Sequence, residues 1–290
     1  MDMQPARDGF VTAGAIRFHE VQWGTQGTPV VCVHGITANA FCFQALADQL
    51  AGDHQMFAYD LRGRGDSDKP ATGYGVLTHA GDLAALIDVW GLERPVVIGH
   101  SMGAFIALAF AAQHPTRLSK LVLIDGGVPL LWKSAAEQPA WLTAAISRLG
   151  TPVPSFELYT QRLKAAPFLG PYWNAYLDLY YQHDVQRWPD GSVVARCYRE
   201  ACLEDEQSLH AEGMPESLWP QVTVPTLLLR AGLGLVASDD QMMAADAAAL
   251  AQRTIPDCRL VDFPTLNHYS ILFGAAPGPF EAIRAFLIEQ

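Results

Sequence analysis

Short apolar runs alternate along this chain with longer segments whose apolar residues recur at helical spacing. The runs that are most typical of buried strands lie at 29–33, 96–98, 121–124, 226–229 and 259–263. The other predicted elements are an opening hairpin between residue 11 and Gly24, a strand at 55–60, and helices at 41–51 and 78–90. Strands that alternate with helices predict an α/β fold, with a mostly parallel central sheet and helices on both faces.

The middle of the chain has a different pattern. Between residues 128 and 217 no strand-like run is present, and the segment is rich in proline and in aromatic residues such as Trp132, Trp141 and Tyr180. This composition predicts several helices inserted between two strands of the sheet. We therefore predict a core formed by residues 1–127 and 218–290, and an inserted helical cap formed by residues 128–217.

Composition and charge restrict the partners of the chain. It has 290 residues, of which 50% are hydrophobic, and a formal net charge of −11. An acidic chain is a poor match for a phosphate backbone, so we expect no nucleic-acid partner. No stretch of about 20 residues is continuously apolar, and the start lacks the pattern of a signal peptide. We expect a cytoplasmic protein with no membrane partner, and a homodimer is compatible with the sequence.

The cysteines and the other metal-binding residue types predict no metal site. The five cysteines are odd in number and show neither a C-x-x-C pattern nor the spacing of zinc ligands. No cluster of His, Asp and Glu has metal-ligand spacing either. Reduced thiols are the simplest interpretation.

A serine stands at a predicted strand-to-helix turn, within Gly99-His100-Ser101-Met102-Gly103. A serine at such a corner adopts a strained backbone conformation that presents its hydroxyl at the edge of the sheet. Strand and helix nearly collide there, so the flanking positions must be small, and two glycines meet that requirement. A lone G-x-S-x-G pattern also occurs by chance, so this candidate nucleophile depends on the remaining signals.

A second signal follows the strand at 29–33, where His34, Gly35 and Ile36 begin a loop. Cleavage of an acyl bond requires two backbone N–H groups that point at the developing oxyanion. One comes from the residue after the nucleophile, which is Met102, and the other from a loop after an early strand. Ile36 has the position of that second donor. His34 is expected to anchor the loop by hydrogen bonds to the backbone.

A third signal follows the last predicted strand, where His268 lies in the loop after residues 259–263. The general base belongs at this position in enzymes whose catalytic residues follow the order Ser, Asp, His. The other eight histidines do not have this place in the order, and we expect structural roles for them.

With these motifs the chain resembles the α/β-hydrolase fold superfamily, on the branch of epoxide-hydrolase-like and esterase-like enzymes. The resemblance rests on residues 34–36, on 59–67 (YDLRGRGDS), on 99–103, and on Asn267 and His268. It covers most of the chain outside the middle segment. It implies an α/β-hydrolase fold with an inserted helical cap. Epoxide hydrolases and haloalkane dehalogenases of this branch use an aspartate nucleophile, so the serine argues against both of those chemistries.

The resemblance leaves two candidate positions for the acid of the catalytic triad. Most relatives carry the acid after the strand at 226–229, where Asp239 and Asp240 follow at the predicted start of the next helix. Acids in a first helical turn commonly act as N-caps and dipole partners. Some members, including certain dehalogenases and lactone or amide hydrolases, carry the acid at the end of the preceding strand, which is Asp125 here. The interval from Ser101 favours Asp125, and Asp239 remains the alternative.

Together these residues predict a serine hydrolase that cleaves small to medium, uncharged carboxylic esters or lactones through an acyl-enzyme, without a cofactor. The expected partner is a small-molecule acyl substrate. An amide or C–N hydrolase with the same triad is the alternative. A C–C hydrolase is less favoured because its oxyanion loop is usually rich in glycine, and a non-catalytic ligand receptor is the hypothesis from another class. Arginines in the middle segment are expected to lie mostly on solvated faces, with one able to hold a substrate carboxylate: Arg148, Arg162, Arg187, Arg196 and Arg199.

Overall fold

The structure, a computed structural model, describes residues 3–210 and 214–289. The strands are β1 (Arg7–Ala13), β2 (Ile16–Trp23), β3 (Thr28–Val33), β4 (His54–Tyr59), β5 (Val96–His100), β6 (Lys120–Ile124), β7 (Val185–Arg187), β8 (Val193–Ala195), β9 (Thr226–Ala231) and β10 (Cys258–Phe263). The α-helices are α1 (Gln44–Leu50), α2 (Val76–Val89), α3 (Met102–Gln113), α4 (Ala140–Ser147), α5 (Phe156–Lys164), α6 (Ala175–Asp184), α7 (Arg199–Leu209), α8 (Ala245–Thr254) and α9 (Gly278–Ile288). Short 3-10 helices lie at Ala40–Phe43, Ala135–Glu137, Gly170–Tyr172 and Trp219–Gln221.

Within the described residues, the central sheet has eight strands in the order β1-β2-β4-β3-β5-β6-β9-β10. The pairs β1–β2 and β2–β4 are antiparallel, and all neighbouring pairs from β4 to β10 are parallel. The mostly parallel sheet predicted from the sequence is therefore confirmed. The predicted elements differ from the observed ones at their ends by a few residues, and the first predicted helix is a 3-10 turn that continues into α1.

Apolar side chains pack against both faces of this sheet. Along β3, Val31 and Val33 join a core cluster that includes residues of α2, α3 and α8, whereas Val30 and Cys32 join a cluster that includes α1 and α9. Successive strand residues point to opposite faces, so a strand that is apolar at every position needs a cover on each side. This double burial holds the strand ends, and the loops that follow them, in fixed positions.

Between β6 and β9 the chain leaves the sheet, and residues 128–217, called the insertion below, contain α4 to α7. The prediction that no strand lies there is wrong, because β7 and β8 form an antiparallel pair with Val185 opposite Ala195. These strands are three residues each, which is too short for a periodic pattern to be visible in the sequence. Residues 1–2, 211–213 and 290, which fall within the predicted core and cap, lie outside the described residues.

Two further observations concern the described residues alone. None of their helices combines the length and the apolar composition that crossing a bilayer requires. No group of three or more His, Cys, Asp and Glu side chains among them could hold a metal ion.

Candidate active site

Ser101 lies at a sharp turn between β5 and α3, with φ 57° and ψ −127°. A positive φ is costly for a residue with a Cβ atom, and such strain is typical of functional positions. The flanking glycines permit the turn. A Cβ atom on Gly99 would lie 2.1 Å from the carbonyl oxygen of Gly103, and one on Gly103 would lie 2.0 Å from that of Val33. Only glycine fits at these two positions, which accounts for the pattern around the serine.

Asp125 and His268 form a buried hydrogen-bonded pair. The Nδ1 atom of His268 lies 2.7 Å from Oδ2 of Asp125, and both side chains are shielded from solvent. The other carboxylate oxygen accepts a hydrogen bond from the backbone N–H of Ala231 at 3.1 Å. Asp125 also has a positive φ, 47°. An imidazole that donates from Nδ1 has Nε2 as its unprotonated nitrogen when it is neutral, so the ring is set up to accept a proton there.

The loop that carries His268 is held by side-chain hydrogen bonds. The amide oxygen of Asn267 accepts from the backbone N–H groups of Tyr269 and Ser270, at 3.0 and 2.8 Å. His100 donates from Nε2 to the carbonyl oxygen of His268 at 3.0 Å, and the two rings stack with centroids 4.5 Å apart. Burial lowers the pKa of His100 well below its ordinary value, so this ring is neutral. These contacts fix the loop that carries His268, which lines the same cavity as Ser101.

The alternative acid lies in a different environment. The helix predicted to begin near Asp239 begins instead at Ala245, so Asp239 and Asp240 are loop residues. The carboxylate of Asp240 accepts hydrogen bonds from the backbone N–H groups of Leu235 and Val236, at 2.6 and 2.9 Å, and thereby stabilises the loop. Asp239 is exposed. Among the described residues, the carboxylate bonded to His268 belongs to Asp125.

The loop after β3 passes directly against the serine. A Cβ atom on Gly35 would lie 2.9 Å from the Cβ atom of Ser101, so the backbone at 35–36 reaches this point only because residue 35 is glycine. His34 anchors the loop, as its Nδ1 donates to the carbonyl oxygen of Gly35 at 2.8 Å and its Nε2 accepts from the backbone N–H of Leu61 at 3.0 Å. Burial lowers the pKa of His34 to about 4, which keeps the ring neutral as both bonds require.

Two backbone N–H groups are available beside the serine. Ile36 is buried and lines the same cavity as Ser101. Met102 is the first residue of α3, where backbone N–H groups have no partner within the helix. The positive end of the helix dipole adds to the attraction for a negative charge at that point. Of the two residues predicted to supply the oxyanion donors, Met102 therefore follows Ser101 directly and Ile36 lines the same cavity.

Arg64 is a residue of this site that sequence reasoning missed. Its Nε donates to the carbonyl oxygen of Ile36 at 2.9 Å, so it holds the peptide plane next to the predicted oxyanion donor. The Arg64 guanidinium is buried against Asp205 of α7, with 2.6 Å between Nη2 and Oδ2. Burial alone would raise the pKa of Asp205, but the charges of Arg64 and His79 outweigh it and lower that pKa. No local sequence pattern indicates this ion pair, because Arg64 lies in the core and Asp205 lies in the insertion.

Two adjoining cavities lie at the candidate site. Ser101 and His268 line the first, of about 30 Å³, together with Leu142, Leu272 and Phe273. The second cavity, of about 290 Å³, shares part of its wall with the first. The shared residues are Thr37, Trp141, Ala145, Tyr180 and Tyr269. The insertion thus supplies part of the wall of both cavities, and the side chains that it contributes to their shared wall are aromatic or small.

The arginines of the insertion have different surroundings. Arg148 is bonded to Asp184 and to the hydroxyl of Tyr159, and Arg196 is paired with Asp66. Arg187 lies over the ring of Phe156 at 4.2 Å, and Arg199 lines a separate surface cleft. Arg148 and Arg162 line the 290 Å³ cavity. Within the described residues, the guanidinium of Arg162 has no carboxylate partner.

The chain is similar to known hydrolytic enzymes. The chain is 28% identical over 245 residues to 2-(acetamidomethylene)succinate hydrolase of Mesorhizobium japonicum, an alignment that covers 84% of this chain and 82% of that one. A stretch of 118 residues is 37% identical to N-formylmaleamate deformylase of Pseudomonas putida and covers 40% of this chain and 44% of that one. The crystal structure of E-2-(acetamidomethylene)succinate hydrolase superposes with a TM-score of 0.84 at 24% identity, over 98% of this chain and 100% of that one, and shows the same fold.

The family model described as the alpha/beta hydrolase fold matches residues 28–275. This range includes Ser101, Asp125 and His268, and the relatives named above are hydrolases or deformylases. The resemblance inferred from the motifs is confirmed: the chain belongs to the α/β-hydrolase fold family.

Proposed function

We propose that this protein is a serine hydrolase that cleaves small to medium carboxylic esters or lactones through an acyl-enzyme on Ser101. The observation that carries the proposal is the hydrogen-bonded pair of His268 and Asp125 at the cavity that the strained Ser101 also lines. A nucleophile, a base and a carboxylate that orients the base are the parts that acyl transfer requires.

In the proposed mechanism, Nε2 of His268 takes the proton of Ser101 as the hydroxyl oxygen attacks the carbonyl carbon. Asp125 holds the imidazole in the tautomer with a proton on Nδ1 and stabilises the imidazolium that forms. The N–H groups of Ile36 and Met102 bind the oxyanion, each lowering the barrier by about 3 kcal/mol. The alcohol leaves with the proton from His268. Water activated by the same ring then releases the acid.

The cavity sizes support a compact substrate. The space next to Ser101 is about 30 Å³ and has apolar walls at Leu142, Leu272 and Phe273, so it leaves no room for a bulky group beside the serine. The adjoining 290 Å³ cavity lies at the lower end of the usual range for small-molecule sites and suits the remainder of the substrate. A long fatty acyl chain exceeds both spaces.

Hydrolysis of a C–N bond in an anionic N-acyl compound is the second candidate function, and two observations favour it. The relatives in the comparison are named for an acetamido compound of succinate and for an N-formyl compound of maleamate. In addition, Arg148 and Arg162 line the larger cavity, where a guanidinium suits a substrate carboxylate. The same triad serves both functions, since only the leaving group differs.

Labelling with a fluorophosphonate and a panel of activated substrates test the proposal. We expect the reagent to modify Ser101 in the unaltered protein and to leave the Ser101→Ala variant unmodified. Turnover is then measured as kcat/KM on p-nitrophenyl esters from acetyl to palmitoyl, with matched lactones and anilides. The highest values are expected for short esters or lactones.

The panel also decides between the hypotheses. A preference for anilides or for N-acyl dicarboxylates selects the C–N hydrolase. Labelling without turnover of any substrate identifies a receptor that keeps the triad. A preference for palmitoyl esters contradicts the compact site, and an unlabelled Ser101 contradicts the nucleophile.

A further inference from the structure

Two of the free cysteines lie in contact with each other. Cys197 precedes α7 and Cys202 lies in its first turns, and their Sγ atoms are 3.2 Å apart. A disulfide requires about 2.05 Å between the sulfur atoms, so a shift of about 1 Å would join them. Both cysteines are buried, and the C-x-x-x-x-C spacing had no assigned meaning in the sequence.

The pair contacts the peptide that directly follows a predicted oxyanion donor, the N–H of Ile36. The Sγ atom of Cys202 is 3.3 Å from the carbonyl oxygen of Ile36, to which it donates, and the Sγ atom of Cys197 is 3.9 Å from the same oxygen. Arg64 also donates to this oxygen, and its Nη2 lies 3.6 Å from Sγ of Cys202. The two thiols and the guanidinium therefore share one acceptor, on the residue next to the nucleophile.

The surroundings favour Cys202 as the thiol that ionises, because the contact with Cys202 and burial raise the pKa of Cys197. Burial raises the pKa of the Cys202 thiol, but the contact with Cys197 and the charge of Arg64 outweigh it and lower that pKa. A guanidinium beside a thiol favours the thiolate, which is the nucleophilic form. Cys197 lines a surface cleft of about 700 Å³, from which a small oxidant approaches the pair.

We propose that Cys197 and Cys202 are a redox-active dithiol that hydrogen peroxide oxidises to a disulfide, and that this bond weakens the support of the Ile36 carbonyl group. The first step forms an S–O bond as a thiolate attacks a peroxide oxygen, and the O–O bond breaks. The product is a sulfenic acid, and the leaving oxygen departs as water after it takes a proton. The partner thiol then attacks the sulfenic sulfur, so that an S–S bond forms, the S–O bond breaks and a second water leaves.

Oxidation changes which groups donate hydrogen bonds to the carbonyl oxygen of Ile36. The disulfide has no S–H donor, so Arg64 is left as the donor among the three groups that now face this oxygen. Loss of these weak thiol contacts next to the proposed oxyanion site is expected to reduce kcat by about two- to ten-fold. This part rests on the proposed function, because it assumes that the Ile36 N–H binds the oxyanion. Formation of the disulfide does not rest on it.

The test treats the purified protein with hydrogen peroxide and follows two separate properties. Mass spectrometry under denaturing, non-reducing conditions is expected to show the loss of two hydrogens and a peptide in which Cys197 is joined to Cys202. A thiol reductant should reverse the change. Ester hydrolysis is measured on the same samples, with kcat expected to fall on oxidation and to recover on reduction.

Matched variants locate the effect. Cys202→Ser and Cys197→Ser cannot form the bond, and their kcat should be insensitive to the same peroxide treatment. Cys258→Ser, which removes a partly exposed thiol elsewhere, should still form the bond and lose activity like the unaltered protein. Five titratable thiols after peroxide treatment, or a bond between other cysteines, would overturn the proposal.

The two readouts separate the possible failures. A bond between Cys197 and Cys202 that leaves kcat unchanged overturns the link to Ile36. A protein that forms the bond but hydrolyses no ester or amide leaves the dithiol in place and contradicts the proposed function instead.

Discussion

The carboxyl edge of the central sheet and the insertion both line the cavity at Ser101, but they contribute to it in different ways. At the sheet edge each candidate group follows a strand: Ser101 after β5, Asp125 after β6 and His268 after β10. Parallel strands bring their carboxyl ends to one edge, which is where sites form in open α/β sheets. The insertion contributes side chains of helices, such as Trp141 and Tyr180.

The difference lies in what holds each group in place. Ser101 and Asp125 have positive φ values within tightly packed turns, so their backbones are constrained by the sheet and by α3. The insertion is attached to the core by hydrogen bonds and ion pairs between segments far apart in the chain, among them the fully buried contacts of Asp205 with Arg64 and His79. We therefore expect changes at the sheet edge to reduce kcat for every substrate, and changes in the insertion to alter which substrate is preferred.

The largest expected effect is at the nucleophile. Ser101→Ala removes the attacking oxygen and should lower kcat/KM by about 10⁴-fold or more on any substrate, with the thermal midpoint of unfolding nearly unchanged. His268→Ala should lose a similar factor, and the double variant little more, because triad members act as a unit. Steady-state kinetics on one ester measure all three. A Ser101→Ala variant that keeps the original rate contradicts the whole assignment.

The second effect concerns the acid. Asp125→Asn keeps the shape of the side chain but favours the wrong imidazole tautomer, so kcat should fall by about 10³- to 10⁴-fold. Asp239→Asn is the matched control and should keep most of the activity, because Asp239 is exposed in its loop. Melting temperatures show whether either variant is misfolded. A large loss in Asp239→Asn with a small one in Asp125→Asn would reverse the roles of the two residues.

A third, smaller effect tests the insertion. Arg162→Met removes a charge from the wall of the larger cavity, so kcat/KM for half-esters of dicarboxylic acids should fall by about ten-fold, while that for uncharged esters stays within about two-fold. Arg187→Met removes an arginine that lies over Phe156 and serves as the control. Equal losses on charged and uncharged substrates would show that Arg162 supports the fold and does not select the substrate.

The smallest effect is on stability and depends on pH. The folded state holds the pKa of His34 at about 4, below its ordinary value of 6.5, so the unfolded chain binds a proton more readily there. The stability that His34 contributes is complete above pH 6.5 and is lost as the pH falls towards 4. The slope is at most about 1.4 kcal/mol per pH unit for this group.

Urea unfolding between pH 7.5 and 4.5 measures that slope. The free energy of unfolding should decrease with falling pH more steeply in the unaltered protein than in His34→Gln, whose side chain does not titrate. The neutral His100 acts in the same direction as His34, so a shallower slope should remain in His34→Gln. Equal slopes in the two proteins would contradict the role of His34.

Much of the sheet edge could be predicted from the sequence, because its signals are local. Gly99 and Gly103 are required by contacts of less than 2.5 Å that a Cβ atom would make, so the turn around Ser101 leaves a mark in adjacent positions. The loop at Gly35 follows its strand directly. The sequence left two candidates for the acid of the triad, because each of them follows a predicted strand. The contact that distinguishes them, 2.7 Å between Asp125 and His268, joins residues 143 positions apart.

The sequence by itself determined which segments form buried strands, where the strained serine turn lies and which loop faces it. These features depend on neighbouring residues in the chain. Only the tertiary structure decided that Asp125 meets His268, that β7 pairs with β8, and that Arg64 and the Cys197–Cys202 pair meet the carbonyl oxygen of Ile36. The insertion has to pack onto the core before these groups meet. Their contacts depend on the packing of segments far apart in the chain, for which no local pattern exists.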